Sequence, residues 1–427
     1  MKSLHALLAA STLALTSAGA VDAAPPKATD TSFTIAVIPD TQNYLDYTHQ
    51  TDAKFAFDAR EMFLEQMRYI AGRLRSQGGD IAFVDSLGDV WQHQSLPIDP
   101  AHAARGFKRV ANPIMDTMFA PTPKVRLIEM PTAKQGFELI AGKTPFSVVP
   151  GNHDYDAMWT DANHPPAAKF VDMSSIGMLH AGGLDNFRSV FGADTAFFKG
   201  QHWYVASHDG GADSAQIFTA GGYRFLHIGL QFDAPNASLL WAAGVIKAHP
   251  GLPTIISTHD YMTNEGARVP NPIIDNHAVD ADDNSPQMVW DKFISQHDQI
   301  FMVLCGHEHG QAFRVDANRF GHPVYQILAD YQDRHQTAID AGAKLQQGEG
   351  IGDGWMRFLA FDMAGKTPKV HVQTYSTHYK KQSVDTADYA GWYKAKEKPK
   401  MSDADFHGQD DFSFDLTDFR TRFSRRS

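Results

Sequence analysis

The sequence predicts an α/β protein in which two mixed sheets pack between helices. Short apolar runs of strand length recur along the chain, amphipathic segments at helical spacing fall between them, and strand signals dominate again after residue 323. "FTIAVI" (33–38), "IAFVDSL" (81–87), "FSVV" (146–149), "FLHIGL" (225–230), "TIIST" (254–258) and "IFMVL" (300–304) read as buried strands. Between the first two, Phe63, Met67, Ile70 and Leu74 recur at the spacing of one helix face. Further helices are expected over 237–249 and 286–297, the second introduced by Ser285 as cap and Pro286 in its first turn. "VYQIL", "WMRFLAF" and "KVHVQTY" are expected to complete a second sheet, ahead of a charged helical segment around 393–405. The stretches 92–145, 181–222, 263–285 and 334–354 read as insertions around one rim.

With 427 residues, 43% of them hydrophobic, the chain can bury a large core. No repeat or long linker divides it, so one domain is expected over 33–380, with an extension, 381–427, packing on it. The formal charge of -11 is spread along the chain and offers no basic surface for long nucleic acid. Residues 1–24 carry Lys2, an apolar segment from Leu4 to Leu15 and small residues from Ala20 to Ala24, the pattern of an export signal. The protein is therefore expected in the periplasm or secreted, without a membrane anchor. Cys305 is the sole cysteine, which excludes an intramolecular disulfide, and its place in "IFMVLC" reads as a small buried hydrophobe. Nothing in the sequence speaks to oligomeric state.

Polar residues follow the strand-like runs: Asp40 and Gln42 in "IPDTQ", Asp89 in "DSLGDVW", Asn152 and His153 in "VVPGNHD", His259 in "ISTHD", and His307 with His309 in "LCGHEHG". In an α/β sheet the carboxyl ends of the strands share one edge, and ligands bind there. A lone histidine after a strand is more often structural, and "GD" is usually a turn. "GNHD" and "GHEH" are sharper, and five such clusters in order make chance a poor explanation. Carboxylate, amide oxygen and imidazole together suit Mn, Zn or Fe.

These motifs, in order from Ile35 to Gly310, resemble those of the calcineurin-like metallophosphoesterases: D-x-H, GD, GNH, H and GHxH. "ADYQDR" and the strand-rich "GWMRFLAFD…VHVQTYS" look like the end of exported bacterial members. The resemblance implies a four-layer metallophosphoesterase-like sandwich that hydrolyses small phosphate mono- or diesters. It implies one metal ion on Asp40, Gln42, Asp89 and His309, and a second on Asp89, Asn152, His259 and His307, with Asp89 bridging. Such a pair, about 3.5 to 4 Å apart, clamps an in-line displacement by a bridging hydroxide. His153 matches the family's general acid.

Two positions depart from the pattern. Gln42 stands where the family carries histidine, so the first site is either harder than usual or weak and empty. Gln92 and His93 replace the aspartate and arginine of GDxxDR, which removes a phosphate grip and the acid that orients His153, and disfavours a protein phosphatase. His93 and His208, the latter in "ASHDGGADS", are candidate substrate contacts. Tyr155 and Trp159 suit an apolar pocket wall or the core equally, and the acids of "DADD" (280–283) read as a solvated run. The alternative function is a non-catalytic metal- or ligand-binding protein on the same fold.

Overall fold

The computed structural model describes residues 31–343 and 350–424, so the expected export signal at 1–24 lies outside the described residues. Two seven-stranded mixed sheets dominate the described residues. In the first, β1 (Ser32–Ile38), β2 (Ile81–Ser86) and β3 (Phe146–Val148) run parallel. The second contains β6 (Tyr204–His208), β7 (Asp213–Ala220), β8 (Tyr223–Gly229), β9 (Thr254–Ser257), β10 (Ile300–Cys305), β11 (Gly310–Ala317) and β12 (Pro323–Asp330). Its four central strands, β12, β10, β9 and β8, are mutually parallel. A small ribbon of β4 (Ala157–Thr160) and β5 (Leu179–Gly182) stands apart.

The first sheet continues past β1 through β13 (Trp355–Asp362) and β14 (Lys369–Ser376), both antiparallel. "WMRFLAF" and "KVHVQTY" therefore extend the first sheet, and of the three late runs "VYQIL" alone joins the second. The pairing Ile35↔Leu359 explains it: it sets Leu359 and Phe361 beside Phe33 and Ile35 in the core between the sheets. Phe33 stacks on Phe361 at 4.6 Å and meets Phe225 of the opposite sheet at 5.3 Å.

Alternation along β1 builds two cores at once. Ile35 and Val37 face the other sheet, whereas Ala36 and Ile38 face the outer helices. On the outer side of the first sheet, helix Arg60–Gly72 buries Phe63, Met67 and Ile70 alongside Phe137 of helix Met130–Glu138. Helices Asn236–Ala248 and Pro286–Lys292 cover the second sheet with Leu239, Ala242, Val245, Val289 and Trp290. The expected helix 286–297 stops at Phe293 and resumes as a 3₁₀ turn, and the charged segment near 393–405 forms two helices, Tyr389–Glu397 and Asp403–Gly408.

The stretch 181–222 is not a rim insertion. It carries β6 and β7, which close one edge of the second sheet, and β7 feeds Ala215 to the outer core and Phe218 to the inner one. The last part of the chain joins the first sheet: β15 (Lys381–Gln382) and β16 (Phe412–Asp415) pair with β14, and Leu416, Phe419 and Phe423 enter the inner core. A buried polar knot fastens it. Arg357 of β13 donates to Asp410 Oδ1 at 2.6 Å, and Asp410 also accepts from the hydroxyls of Tyr331 at 3.0 Å and Tyr389 at 2.7 Å.

Asp410→Ala leaves the fully buried Arg357 without its carboxylate, a loss of about 3 to 5 kcal/mol. A melting temperature lowered by several degrees, with β-sheet circular dichroism retained below it, is the expected outcome. An unchanged melting temperature would show that this knot does not hold the extension.

Candidate metal centre

Each expected ligand follows a strand. Asp40 comes after β1, Asp89 after β2, Asn152 after β3, His259 after β9 and His307 after β10, so the parallel strands of both sheets deliver them to one seam. Two of these residues hold left-handed backbone, Asp89 at φ 47° and His307 at φ 70°, conformations that turn the chain sharply off its strand. The Asp89 carbonyl accepts the backbone amides of Thr41 at 3.0 Å and Gln42 at 2.8 Å, which locks the β1 and β2 turns together.

Asp89, His259 and His307 bring one donor atom each to within 4.8 Å of one another. His259 Nδ1 donates to the Leu87 carbonyl at 2.8 Å, which leaves Nε2 facing Asp89 Oδ2 at 3.2 Å and Asn152 Oδ1 at 3.1 Å. His307 Nδ1 lies 3.2 Å from that same Nε2, and its backbone amide donates to Asp40 Oδ2 at 3.1 Å. These residues form a metal-capable cluster with both imidazole and oxygen donors.

The electrostatics call for positive charge here. Burial followed by Asp330 raises the Asp40 carboxyl well above the carboxylate range. Burial opposes charge on His259, yet Asp89 and then Asp40 lift it to about 10. His307 is depressed by burial and by its neighbour His259. Asp40 Oδ1 and Gln42 Oε1 are buried and find no hydrogen-bond partner among the described residues. Oxygen atoms left bare in such a place fit a hard or borderline cation.

The two sets expected from the sequence are not equally assembled. Asp89, Asn152, His259 and His307 converge as described. Of the other set, Gln42 Nε2 donates to Asp89 Oδ2 at 3.1 Å and to Gln332 Oε1. Gln332 in turn meets His309 Nε2 at 2.6 Å, and His309 Nδ1 is 2.8 Å from Asp333 Oδ2. A chain Asp89–Gln42–Gln332–His309–Asp333 thus engages both nitrogens of His309. Gln332, Asp330 and Asp333 are not among the site residues expected from the sequence, although "LADYQD" (328–333) spans the end of β12, which closes on Asp330, and the turn after it.

His153 sits beside Asp89, its Nε2 4.0 Å from Oδ2 and its backbone amide donating to Oδ1 at 2.9 Å. The Gln92 backbone carbonyl, 2.6 Å from Nδ1, orients the ring in place of an acidic side chain. Phe119 packs edge-on against it at 5.2 Å. His93 lines the same cavity and is held by buried Glu129, whose Oε1 lies 2.8 Å from Nδ1 and whose Oε2 accepts the amides of Gln92 and His93. Burial works against the His93 charge and Glu129 overcomes it, raising the ring from its ordinary value.

His208 does not line the cavity. It lies on edge strand β6, bonded to Asp213 at 2.8 Å and stacked near Trp241. Tyr155 and Trp159 are core residues: the Tyr155 hydroxyl reaches Gln231 and Phe232, and Trp159 packs on His102 and His180. The acids of 280–283 are not a solvated run, since Asp280 and Asp283 are buried.

The cavity measures about 910 Å³. Its lining includes the polar residues Gln42, Asp89, Asn152, His153 and His307 and the apolar residues Ile114, Met118, Phe119, Met173 and Ile176. The fold and site thus define a mixed α/β protein with a metal-capable pocket at the seam of two sheets. No protein-family model matches the chain. It is similar to an uncharacterized protein of Bacillus subtilis, YvnB, with 25% identity over 252 residues, 57% of this chain and 15% of that protein. The chain thus spans well under two thirds of the relative it matches.

A Cβ on Gly306 would stand 2.2 Å from Asp40 Oδ1. Gly306→Ala is expected to push the Asp40 carboxylate aside and lower bound metal at least several-fold while far-ultraviolet circular dichroism stays unchanged. Elemental analysis checks this, and undiminished metal content would remove Asp40 from the ligand set.

Proposed function

We propose that the protein is an exported, metal-dependent phosphoester hydrolase of the calcineurin-like metallophosphoesterase kind. The observation that carries the reading is the convergence of Asp40, Asp89, Asn152, His259 and His307 from the ends of strands in both sheets, with His153 Nε2 beside them. On this reading Asp89, Asn152, His259 and His307 would hold one ion, and Asp40, Gln42, Asp89 and His309 would hold the other if His309 were released from Gln332. Ions held there would activate a water near neutral pH and offset the charge that develops on phosphoryl oxygens.

The remaining work falls to the chain's own side chains. His153, its Nδ1–H fixed on the Gln92 carbonyl, presents Nε2–H to the departing oxygen. His93, clamped by Glu129, offers a weaker cationic grip than the arginine it replaces. The wall of Ile114, Met118, Phe119, Met173 and Ile176 keeps water from one side and favours an apolar alcohol or phenol as the leaving group. A small phosphoester is the proposed substrate, and the acidic net charge disfavours long nucleic acid. Among the described residues no helix is long and apolar enough to cross a membrane.

The hydrogen-bonded chain from Gln42 to Asp333 favours a second reading, a binding protein that holds one ion and does no chemistry. Catalysis separates the two. Purified protein is expected to hydrolyse p-nitrophenyl phosphate or its bis ester and to lose that activity to a chelator. A protein that binds metal and turns over neither ester would favour the binding role, and full activity after verified metal removal would rule out the metal mechanism.

His153→Gln is expected to slow hydrolysis by about 10² for alkyl esters, which need a proton on the leaving oxygen, and far less for nitrophenyl esters. Equal losses with both leaving groups would assign His153 a structural part.

Ile114 and Met118 line the cavity and are 43% and 53% exposed to solvent. Replacing both by serine is expected to raise KM for naphthyl phosphate about tenfold and leave KM for methyl phosphate nearly unchanged. A parallel rise for both esters would show that this wall does not touch the leaving group.

A further inference from the structure

We infer that His102, His180, Asp280 and Asp283 form a structural zinc site, separate from the pocket, that staples the loops forming the pocket's apolar wall. The four residues come from three segments. His102 belongs to helix Pro100–Ala104, His180 to β5, and both aspartates to the loop between helices Asn276–Val279 and Pro286–Lys292. None of them lines the cavity.

The donor geometry is close to complete. His102, His180 and Asp280 each bring one atom to within 4.8 Å of the others. His102 Nε2 lies 3.9 Å from Asp280 Oδ2, and His180 Nε2 lies 3.6 Å from Asp283 Oδ2. Ligand atoms that share one tetrahedral zinc stand about 3.3 Å apart, so small side-chain rotations close the remainder.

His180 supplies the independent sign of a ligand. Its ring is fully buried, and neither Nδ1 nor Nε2 has a hydrogen-bond partner among the described residues. A buried imidazole seldom stays unsatisfied unless something absent from the protein chain meets it. Its rings of contact are Trp159 at 4.8 Å, His102 at 4.7 Å and Phe107 at 6.0 Å, so apolar or imidazole surfaces surround it on those sides.

His102 carries the supporting arrangement that metal-bound histidines have. Its Nδ1 is 2.5 Å from Asp99 Oδ2, and since an ionised carboxylate can only accept, Nδ1 bears the proton and Nε2 offers its lone pair to the cluster. Arg105 already donates to Asp280 Oδ2 at 2.6 Å, which leaves further lone pairs on that carboxylate. Two imidazoles with two carboxylates, of which His180, Asp280 and Asp283 are buried and His102 half-buried, suit zinc in a structural role.

The staple joins segments that shape the pocket. Leu179, next to His180, lines the cavity, as do Ile273 and Ile274 from the loop preceding Asp280. The Leu179 amide donates to Ile273 at 2.8 Å, and Asn276 bonds both backbone groups of Ala181.

Crystals of the full-length mature protein grown with zinc, measured at the zinc absorption edge, test the site directly. An anomalous peak about 2.0 to 2.2 Å from His102 Nε2, a His180 nitrogen and Asp280 is expected. No peak there overturns the inference. In solution, His102→Gln and Asp283→Asn are each expected to bind one zinc fewer per chain than the parent. Each should also melt lower than the parent in zinc, and like it in chelator. Folded variants that keep the parent stoichiometry overturn the site, and if neither variant folds the anomalous measurement on the parent decides.

Discussion

A carboxylate shut away from water must be surrounded by donors, and Asp89, a residue 1% exposed, imposes that demand on the whole molecule. Its compensation comes from Gln42 after β1, the His153 amide after β3 and His259 after β9. No single sheet could supply all of these. Two sheets must therefore meet with their parallel strands ending along one line, and the inner core of Phe33, Phe83, Phe225 and Phe361 holds them in that alignment. His259 opposes the charge of Asp89 and Asp40 with its own, and a shift of either sheet would separate them.

The sequence reveals the parts of this arrangement that depend on local chemistry. Continuous apolar runs name the central strands because burial on both faces leaves no polar alternation, and polar clusters placed just after them name Asp40, Asp89, Asn152, His259 and His307. Pairing is a different matter. Which strand lies beside β1 is decided by the register that sends Leu359 and Phe361 inward, a property of two distant segments, and "WMRFLAF" carries no mark of it. Glu129 is invisible for a related reason: it ends a π-helical segment, Val125–Glu129, that no local motif marks, and it matters because the chain folds it under Gln92 and His93. Asp280 and Asp283 look solvated in "DADD", and they are buried because the β4–β5 ribbon and the segment around His102 close over them.

Gln42 ties the legible and illegible parts together. An amide offers an oxygen and a nitrogen on the same carbon, so it can face a cation with one and a hydrogen-bond acceptor with the other. In this structure the nitrogen faces Asp89 and Gln332 while the oxygen is buried with no hydrogen-bond partner among the described residues. A histidine at this position would present nitrogen donors alone, and Gln332 would have no amide proton to receive. Gln42 and Gln332, which follows β12, thus act as one pair although they lie 290 residues apart in the chain.

The division of labour follows from where each residue is anchored. The metal-capable groups sit at the ends of parallel strands, and all of those strands except β3 have a hydrogen-bonded neighbour on each side, which leaves them little freedom. The apolar residues that line the cavity, Ile114, Met118, Phe119 and Met173, belong to the segments between strands. Such segments tolerate change in sequence far better than the strands do. They also need a support of their own, because no sheet ladder runs beneath most of them. The β4–β5 ribbon fills that role: it carries Leu179 to the cavity and His180 to a buried cluster of opposite character, so one four-residue strand couples the shape of the pocket to the order of the loops behind it.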